Sequence, residues 1–389
     1  MNKNTLGLAL ALALAAIAQA QPPHAGKTAL PEGVKAFRDV AYVENGHARQ
    51  TLDLYVPDHA TNALPLVIWI HGGGWKNGSK EGCPPLRQGF VGRGYAVASL
   101  NYRLSGDAVF PAQIEDCKAA VRWLRVHAKE YGLDPDRFGV WGSSAGGHLV
   151  ALLGTSGDEK AFDVGANLGV SSRVQAVCDF FGPTDLLQMD RYAFGDARLK
   201  HDAADSPEAC LIGGPVQDNK EKAARVNPII YVKTNAMPPF LIVHGDADPV
   251  VPHHQSELLF EALKKAGGNV QLHTIKGAGH GQGFGGKEID EKVGGFFDRW
   301  LRVAGPVTSE ARQTVSEAVE RSLPNAPKRP GQGPQAGHRI TFEQVKTRED
   351  ADGDGRVTRA EFKGPPPLFR RLDRTGDGVL TKEDFEEKR

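Results

Sequence analysis

A hydroxyl that attacks a carbonyl needs a base to take its proton, an acid to orient that base, and N–H donors for the charge that develops on oxygen. Three separated stretches of the chain carry these residue types. Gly142-Ser143-Ser144-Ala145-Gly146 follows the apolar run 138–141 and precedes the helical stretch 147–153. Strand, G-x-S-x-G, helix is the context of a sharp turn that lifts the middle residue, Ser144, out of the chain as a nucleophile. Without that context the five residues would read as a glycine-rich turn. His71-Gly72-Gly73-Gly74-Trp75 follows the apolar run 66–70, at the carboxyl end of an early strand, where open α/β sheets bind ligands. Its bare glycine amides are candidate oxyanion-hole donors, with Gly73 and Gly74 joined by the amide of Ala145; a flexible loop is the plainer alternative. The remaining partners follow in the chain order Ser, acid, His. Asp248 sits just past the apolar run 240–243, and His280 in a glycine-rich loop after 270–275. An imidazole, with an ordinary pKa of about 6.5, can take the Ser144 proton while Asp248 holds its tautomer. Asp246 is the rival acid, but beside Gly245 it is better placed to structure the turn. His71, His148, His201, His244 and His254 are expected in structural or surface roles. No cofactor is required for this chemistry.

The elements that must position these groups are legible as short apolar runs. Residues 37–43 and 50–57 alternate in polarity on either side of Asn45-Gly46, a dipeptide suited to the positive φ of a tight hairpin. Runs at 66–70, 96–100, 138–141, 174–181, 240–243 and 270–275 are nearly continuous, as in strands covered on both faces. Helical spacing over 111–131 and 253–266 separates several of them. The predicted fold is α/β: a mostly parallel sheet with an N-terminal antiparallel hairpin and helices on both faces.

At the N-terminus, Lys3 precedes an apolar run from Leu6 to Ala18 and an A-x-A site at Ala18-Gln19-Ala20. This reads as a signal peptide over 1–20, too short for the ~20 apolar residues of a membrane span. No Cys follows the cleavage site and no later run is apolar enough to span a bilayer. A secreted or periplasmic protein is expected. The catalytic domain then covers 21–303. Residues 304–338 form a Pro/Gly-rich linker, punctuated by Pro324, Pro327, Pro330 and Pro334, with room for a short amphipathic helix within 308–323.

Residues 339–389 carry a different chemistry. Asp350, Asp352, Asp354, Gly355, Arg356, Thr358 and Glu361 occupy positions 1, 3, 5, 6, 7, 9 and 12 of an EF-hand loop, a pattern that surrounds calcium with about six to eight oxygens. Arg356 would contribute its carbonyl. Asp373, Thr375, Asp377, Gly378, Val379, Thr381 and Asp384 repeat the frame. There Asp replaces Glu at the last position, which predicts weaker binding. Residues 342–347 read as an entering helix, and Pro365, Pro366 and Pro367 cut short any helix between the loops. The calcium is expected to be structural.

Lys+Arg and Asp+Glu are equal at 47 each, which removes the electrostatic argument for nucleic acid as a partner. Four irregularly spaced cysteines, Cys83, Cys117, Cys178 and Cys210, read as free thiols rather than a disulfide framework.

The stretches HGGGW at 71–75, PAQIEDCKAAVRWLRVHAKEYGLDP at 111–135, GVWGSSAGGHLVALLG at 139–154, FFGPTD at 180–185, PPFLIVHGDADPVVP at 238–252 and GAGHG at 277–281 resemble the α/β-hydrolase esterases. More closely they resemble the bifunctional feruloyl and acetyl-xylan esterase group, near the hormone-sensitive-lipase-like carboxylesterases. The resemblance covers about residues 35–303. It implies Ser144 as nucleophile, Asp248 as acid, His280 as base, an oxyanion hole at Gly73, Gly74 and Ala145, and small acyl or feruloyl esters on plant polysaccharide as substrates. Residues 188–210, with Tyr192 and His201, match no part of that pattern and could cap the site. Trp75, Tyr102 and Phe181 could line it or serve as core. The last module resembles an EF-hand pair and, more faintly, a dockerin. Two other functions share these features: a prolyl-oligopeptidase-like peptidase, and a catalytically silent calcium-dependent adhesin for carbohydrate or surfaces. HGGGW speaks against the first and the complete Ser144, Asp248 and His280 set against the second. Acyl and alcohol specificity, any effect of calcium on turnover, and oligomeric state stay open at this level.

Overall fold

The computed structural model describes residues 30–193, 199–302, 342, 345–346, 350, 352, 354–362, 372–373, 375 and 377–385. The expected signal peptide, the linker at 304–338 with its short helix, and the proline triplet 365–367 lie outside these residues. The chain divides into two compact units, Met1–Pro306 and Val307–Arg389.

The first unit is built on eight strands: β1 (Val34–Ala41), β2 (Thr51–Pro57), β3 (Leu64–Ile70), β4 (Ala96–Leu100), β5 (Leu133–Ser143), β6 (Ala176–Phe180), β7 (Phe240–Gly245) and β8 (Val270–Ile275). They pair in the order β1-β2-β4-β3-β5-β6-β7-β8. The β1–β2 and β2–β4 ladders are antiparallel and the rest parallel. This is the fold class predicted, an α/β sheet with an antiparallel N-terminal edge.

Continuous apolar runs in the central strands serve two cores at once, because successive side chains point to opposite faces. Leu66, Ile68 and Ile70 of β3 join one buried cluster and Val67 and Trp69 the other. Phe240 and Ile242 of β7 divide from Leu241 and Val243 in the same way. Buried residues of the helices Ala112–Val126 and Ala145–Thr155 belong to the first cluster, and those of the helix Lys287–Leu301 to the second.

Two expectations shift, and that of free cysteines is met. The 111–131 helix ends at Val126, and the chain then turns through Gly132, at φ 66°, into β5. The predicted tight turn at Asn45-Gly46 is a longer loop over 42–50, closed by the Tyr42 amide on the Gln50 carbonyl. Only Asn45 of the pair takes a positive φ, 52°. A Cβ on Gly46 would lie 2.8 Å from the Val43 Cβ and would also displace the Gln50 side-chain oxygen. All four cysteines are free thiols, three of them buried.

In the second unit, Phe342, Val345, Val357, Phe362 and Leu380 make a small core of their own. Two short antiparallel strands, β9 (Val357–Thr358) and β10 (Val379–Leu380), pair Val357 with Leu380, which are position 8 of the two predicted loops.

Candidate active site

Strand β5 runs directly into the helix Ala145–Thr155, and Ser144 is the joint. Its φ of 54° and ψ of −123° are strained for a residue with a Cβ. The surroundings enforce the strain. The Ser144 amide donates to the Phe180 carbonyl of β6 at 2.8 Å. A Cβ on Gly142 would run into the Gly146 backbone, and one on Gly146 into the Ile70 carbonyl. Packing thus dictates glycine on both sides of the serine.

His280 comes 136 residues later in the chain and places Nε2 3.1 Å from the Ser144 hydroxyl. Its Nδ1 lies 2.7 Å from Asp248 Oδ2. With the proton on Nδ1, both contacts are satisfied: the ring donates to Asp248 and accepts from Ser144. The Asp248 side chain is fully buried, whereas His280 is a quarter exposed. Burial alone would raise the Asp248 pKa. Hydrogen bonds from His244 and His280, the charge of His280 and the Val250 amide overcome that and hold the carboxyl well below the usual carboxylate range. Asp248 therefore stays ionised where the chemistry needs a fixed negative charge. Asp246 turns elsewhere, taking Lys276 Nζ at 2.8 Å and the Gly277 amide at 2.7 Å.

Facing Ser144 is the loop of HGGGW. Gly73, Gly74 and Trp75 all have positive φ, at 109°, 58° and 55°. The loop's backbone bonds run from Lys76 and Asn77 to the Gly73 carbonyl, and none among the described residues uses the amides of Gly73, Gly74 or Ala145. All three residues line one cavity with Ser144 and His280, of about 500 Å³, within the range of small-molecule sites. His71 braces the loop from behind: its ring stacks on Tyr102 at 4.4 Å, and the Tyr102 hydroxyl donates to the His71 carbonyl at 3.0 Å. Burial lowers the His71 pKa to about 4, so the ring is neutral near pH 7.

Of the aromatic residues considered for the site, Trp75 and Phe181 line the cavity, and Phe181 meets His280 edge to face at 4.6 Å. Tyr102 does not line it; it is wholly buried beneath His71. One further feature escaped the sequence, and one expectation, a cap from within 188–210, is met by the described residues. His244, a strand residue, lies behind the acid at 3.3 Å from Asp248 Oδ2, with Nδ1 2.7 Å from Ser256 Oγ. The segment after 198 walls the cavity through Leu199, His201, Pro207 and Glu208. A serine next to Pro207, Ser206, caps the helix Pro207–Ile212, a local signal of order in that segment.

Residues 52–263 match the model of the BD-FAE esterase domain. The chain belongs to the BD-FAE family. Esterase LipQ of Mycobacterium tuberculosis is 33% identical to the BD-FAE chain over 233 residues, covering 59% of this chain and 53% of that protein. The chain spans about half the length of the curated relatives it matches. Among solved structures, a truncated carbohydrate esterase from gut microbiota superposes with a TM-score of 0.63 at 32% identity, over 69% of this chain and 97% of that one. A bifunctional GH43-CE protein of Bacteroides eggerthii gives 0.61 at 37% identity, over 68% and 35%.

The model of the EF-hand matches 350–364 and 367–387. In the first loop, one carboxylate oxygen each of Asp350, Asp352 and Glu361 lie within 4.8 Å of one another. Gly355 takes φ 84° and its amide donates to Asp350 at 3.0 Å, while Thr358 holds Glu361 at 2.7 and 2.8 Å. Asp354 receives the Arg356 amide at 2.8 Å. Converging hard oxygens around a left-handed glycine fit a calcium ion. The second loop repeats the turn: Gly378 at φ 83° donates to Asp373, and the Val379 amide to Asp377. Asp384 is held by Thr375 and Thr381.

Proposed function

We propose that the BD-FAE domain is a secreted or periplasmic serine carboxylic-ester hydrolase for small-acyl or feruloyl esters, including those carried on plant polysaccharide. The observation that carries the chemistry is the single line Ser144 Oγ, His280, Asp248 at 3.1 and 2.7 Å. His280 Nε2 takes the Ser144 proton as Oγ attacks the ester carbonyl. The tetrahedral oxyanion is held by the Gly73, Gly74 and Ala145 amides, each such donor worth about 100- to 1000-fold in rate. His280 then gives its proton to the leaving alcohol, and a water activated in the same way hydrolyses the acyl-Ser144 ester. No metal or organic cofactor takes part. The substrate class is supported by relatives that are named esterases and by a structural neighbour that is named a carbohydrate esterase. The EF-hand module would bind calcium through Asp350, Asp352, Asp354, the Arg356 carbonyl, Thr358 and Glu361, and more weakly through Asp373, Thr375, Asp377, the Val379 carbonyl, Thr381 and Asp384, as a structural ion. Export rests on the N-terminal segment alone.

The test is hydrolysis of p-nitrophenyl acetate, butyrate and octanoate and of methyl ferulate beside a Ser144→Ala control. Turnover of acetate or ferulate that falls by ~10⁴-fold or more in the control supports this reading. Absence of any Ser144-dependent turnover overturns it, and turnover of peptides instead would favour a peptidase.

A further inference from the structure

His280 sits on a loop whose backbone does little to hold it. Six of the eleven residues 276–286, between β8 and the helix Lys287–Leu301, are glycines, the residue with the most backbone freedom to lose on ordering. Among the described residues, no backbone hydrogen bond uses the amide or the carbonyl of His280. Its ring bonds to Ser144 and Asp248, but both bonds require the ring to be in place already. A base on such a loop needs a further support, since small displacements of reacting groups slow the reaction.

Phe181 is built to give that support. It follows β6 with a φ of 43°, an outlier for a bulky residue, where glycine or asparagine would be the unstrained choice. Two hydrogen bonds sustain the conformation. The Phe181 amide donates to the Val243 carbonyl of β7 at 2.9 Å, and the Gly182 amide donates to Asp179 Oδ1 at 2.9 Å. Strain kept up by its surroundings beside a site of chemistry points to a use for the side chain.

The ring is only 6% exposed. It meets His280 at 4.6 Å with the planes at 64°. It also meets Phe284, four residues further along the same loop, at 4.6 Å and 81°. Phe284 is itself buried and packs on Phe180 at 5.1 Å. One ring therefore engages the loop on both sides of its glycine turn. We propose that Phe181 is a positioning residue: with Phe284 it clasps the 276–286 loop and holds the His280 imidazole in line between Ser144 and Asp248. This deepens the esterase reading and rests on it. Phe181 also lines the cavity, and a ring that served only as its wall would act on KM.

The experiment measures p-nitrophenyl acetate hydrolysis by full-chain Phe181→Leu, Phe181→Tyr and Phe284→Leu. Active sites are titrated with a fluorophosphonate, which phosphonylates Ser144 with loss of fluoride. Phe181→Leu is expected to lower kcat per titrated site by about 10- to 100-fold, with KM within about threefold. Phosphonylation should slow by a similar factor and still reach the parent stoichiometry. Phe181→Tyr, which keeps the ring, should recover most of the loss. Phe284→Leu should lower kcat in the same direction, and the double variant by less than the product of the two losses, because both act through one clasp. An unchanged kcat overturns the proposal. So does a loss explained by fewer titratable sites, the mark of a merely structural role, or one confined to KM. If Phe181→Leu does not fold, Phe284→Leu decides. NMR of the imidazole proton that His280 donates to Asp248, assigned by its absence in His280→Gln, gives a readout free of turnover. That line is expected to be sharp and protected from exchange in the parent protein, and broadened or lost in Phe181→Leu. This result supports the clasp even if Ser144-dependent turnover is absent and the esterase reading fails; an unchanged line overturns it.

Discussion

His244 and His280 converge on one oxygen: Oδ2 of Asp248 lies 2.7 Å from His280 Nδ1 and 3.3 Å from His244 Nε2. His244 is fully buried, and burial lowers its pKa against the pull of Asp248. A neutral ring with Nδ1 accepting from Ser256 can donate from Nε2 to both Asp248 and the Val251 carbonyl. Asp248 is therefore oriented from two sides by groups of unequal exposure.

His244 should accordingly act as a positioning residue. Phe in its place removes the second donor to Asp248, and small displacements of reacting groups cost on the order of 10- to 100-fold in kcat. His244→Phe is expected to lower kcat by that amount with little change in KM. His244→Gln, which retains a donor and an acceptor, should recover part of the loss. Steady-state kinetics of the two variants, with melting temperatures alongside, checks this; equal losses in both would argue against it.

The two acids of the 246–248 turn are predicted to separate sharply. Asp248→Asn leaves the shape intact but presents the wrong hydrogen-bonding group to His280, and kcat should fall by about 10⁴-fold. Asp246, tied to Lys276 and Gly277, should cost less than about tenfold when changed to Asn. The comparison is made on p-nitrophenyl acetate, and a reversal of the order would reassign the acid.

Asp179 of β6 offers a pH test of stability. Burial raises its pKa to about 7, against a partial offset from the Gly182 amide, which donates at 2.9 Å. Its other oxygen has no partner among the described residues. The unfolded chain loses this proton near pH 4 while the folded protein keeps it. Between pH 4 and 7 the folded state therefore binds more protons, and this group makes stability fall as pH rises, by up to about 1.4 kcal/mol per pH unit. Above pH 7 the effect is constant. Asp179→Asn removes it, so the variant should gain on the parent protein from pH 5 to 7 and hold a constant difference from 7 to 8. Urea unfolding at those pH values gives the answer, and a pH-independent difference would refute the assignment.

Calcium should act on the small module alone. EGTA is expected to leave p-nitrophenyl acetate turnover within about twofold while a calcium-dependent thermal transition disappears. Glu361→Ala should weaken calcium binding at the first loop far more than Asp384→Ala weakens overall binding, because the Glu361 carboxylate converges with those of Asp350 and Asp352. Titration calorimetry on the full chain measures both. Loss of turnover with EGTA would mean that calcium supports the catalytic unit directly, and loss of carbohydrate binding without any esterase activity would favour the adhesin.

What could be read from the sequence was whatever backbone sterics and local periodicity impose within a few residues. Gly142 is demanded by a contact within the turn, with the Gly146 backbone, the continuous apolar run Leu66 to Ile70 by a strand with two covered faces, and the spacing Asp350 to Glu361 by a loop that folds around one point. Gly146, by contrast, is demanded by the Ile70 carbonyl of a neighbouring strand. What the tertiary structure alone decided depends on residues far apart in the chain. It set Asp248 against His280 and Asp246 against Lys276 by where β8 and the His280 loop come to rest, and put Tyr102 on the underside of His71. It placed His244 behind Asp248 and set His201 and Glu208 in the cavity wall. These are outcomes of packing, in which which atom of a side chain meets which neighbour is settled only when β6, β7 and the segment 199–212 close around the same space.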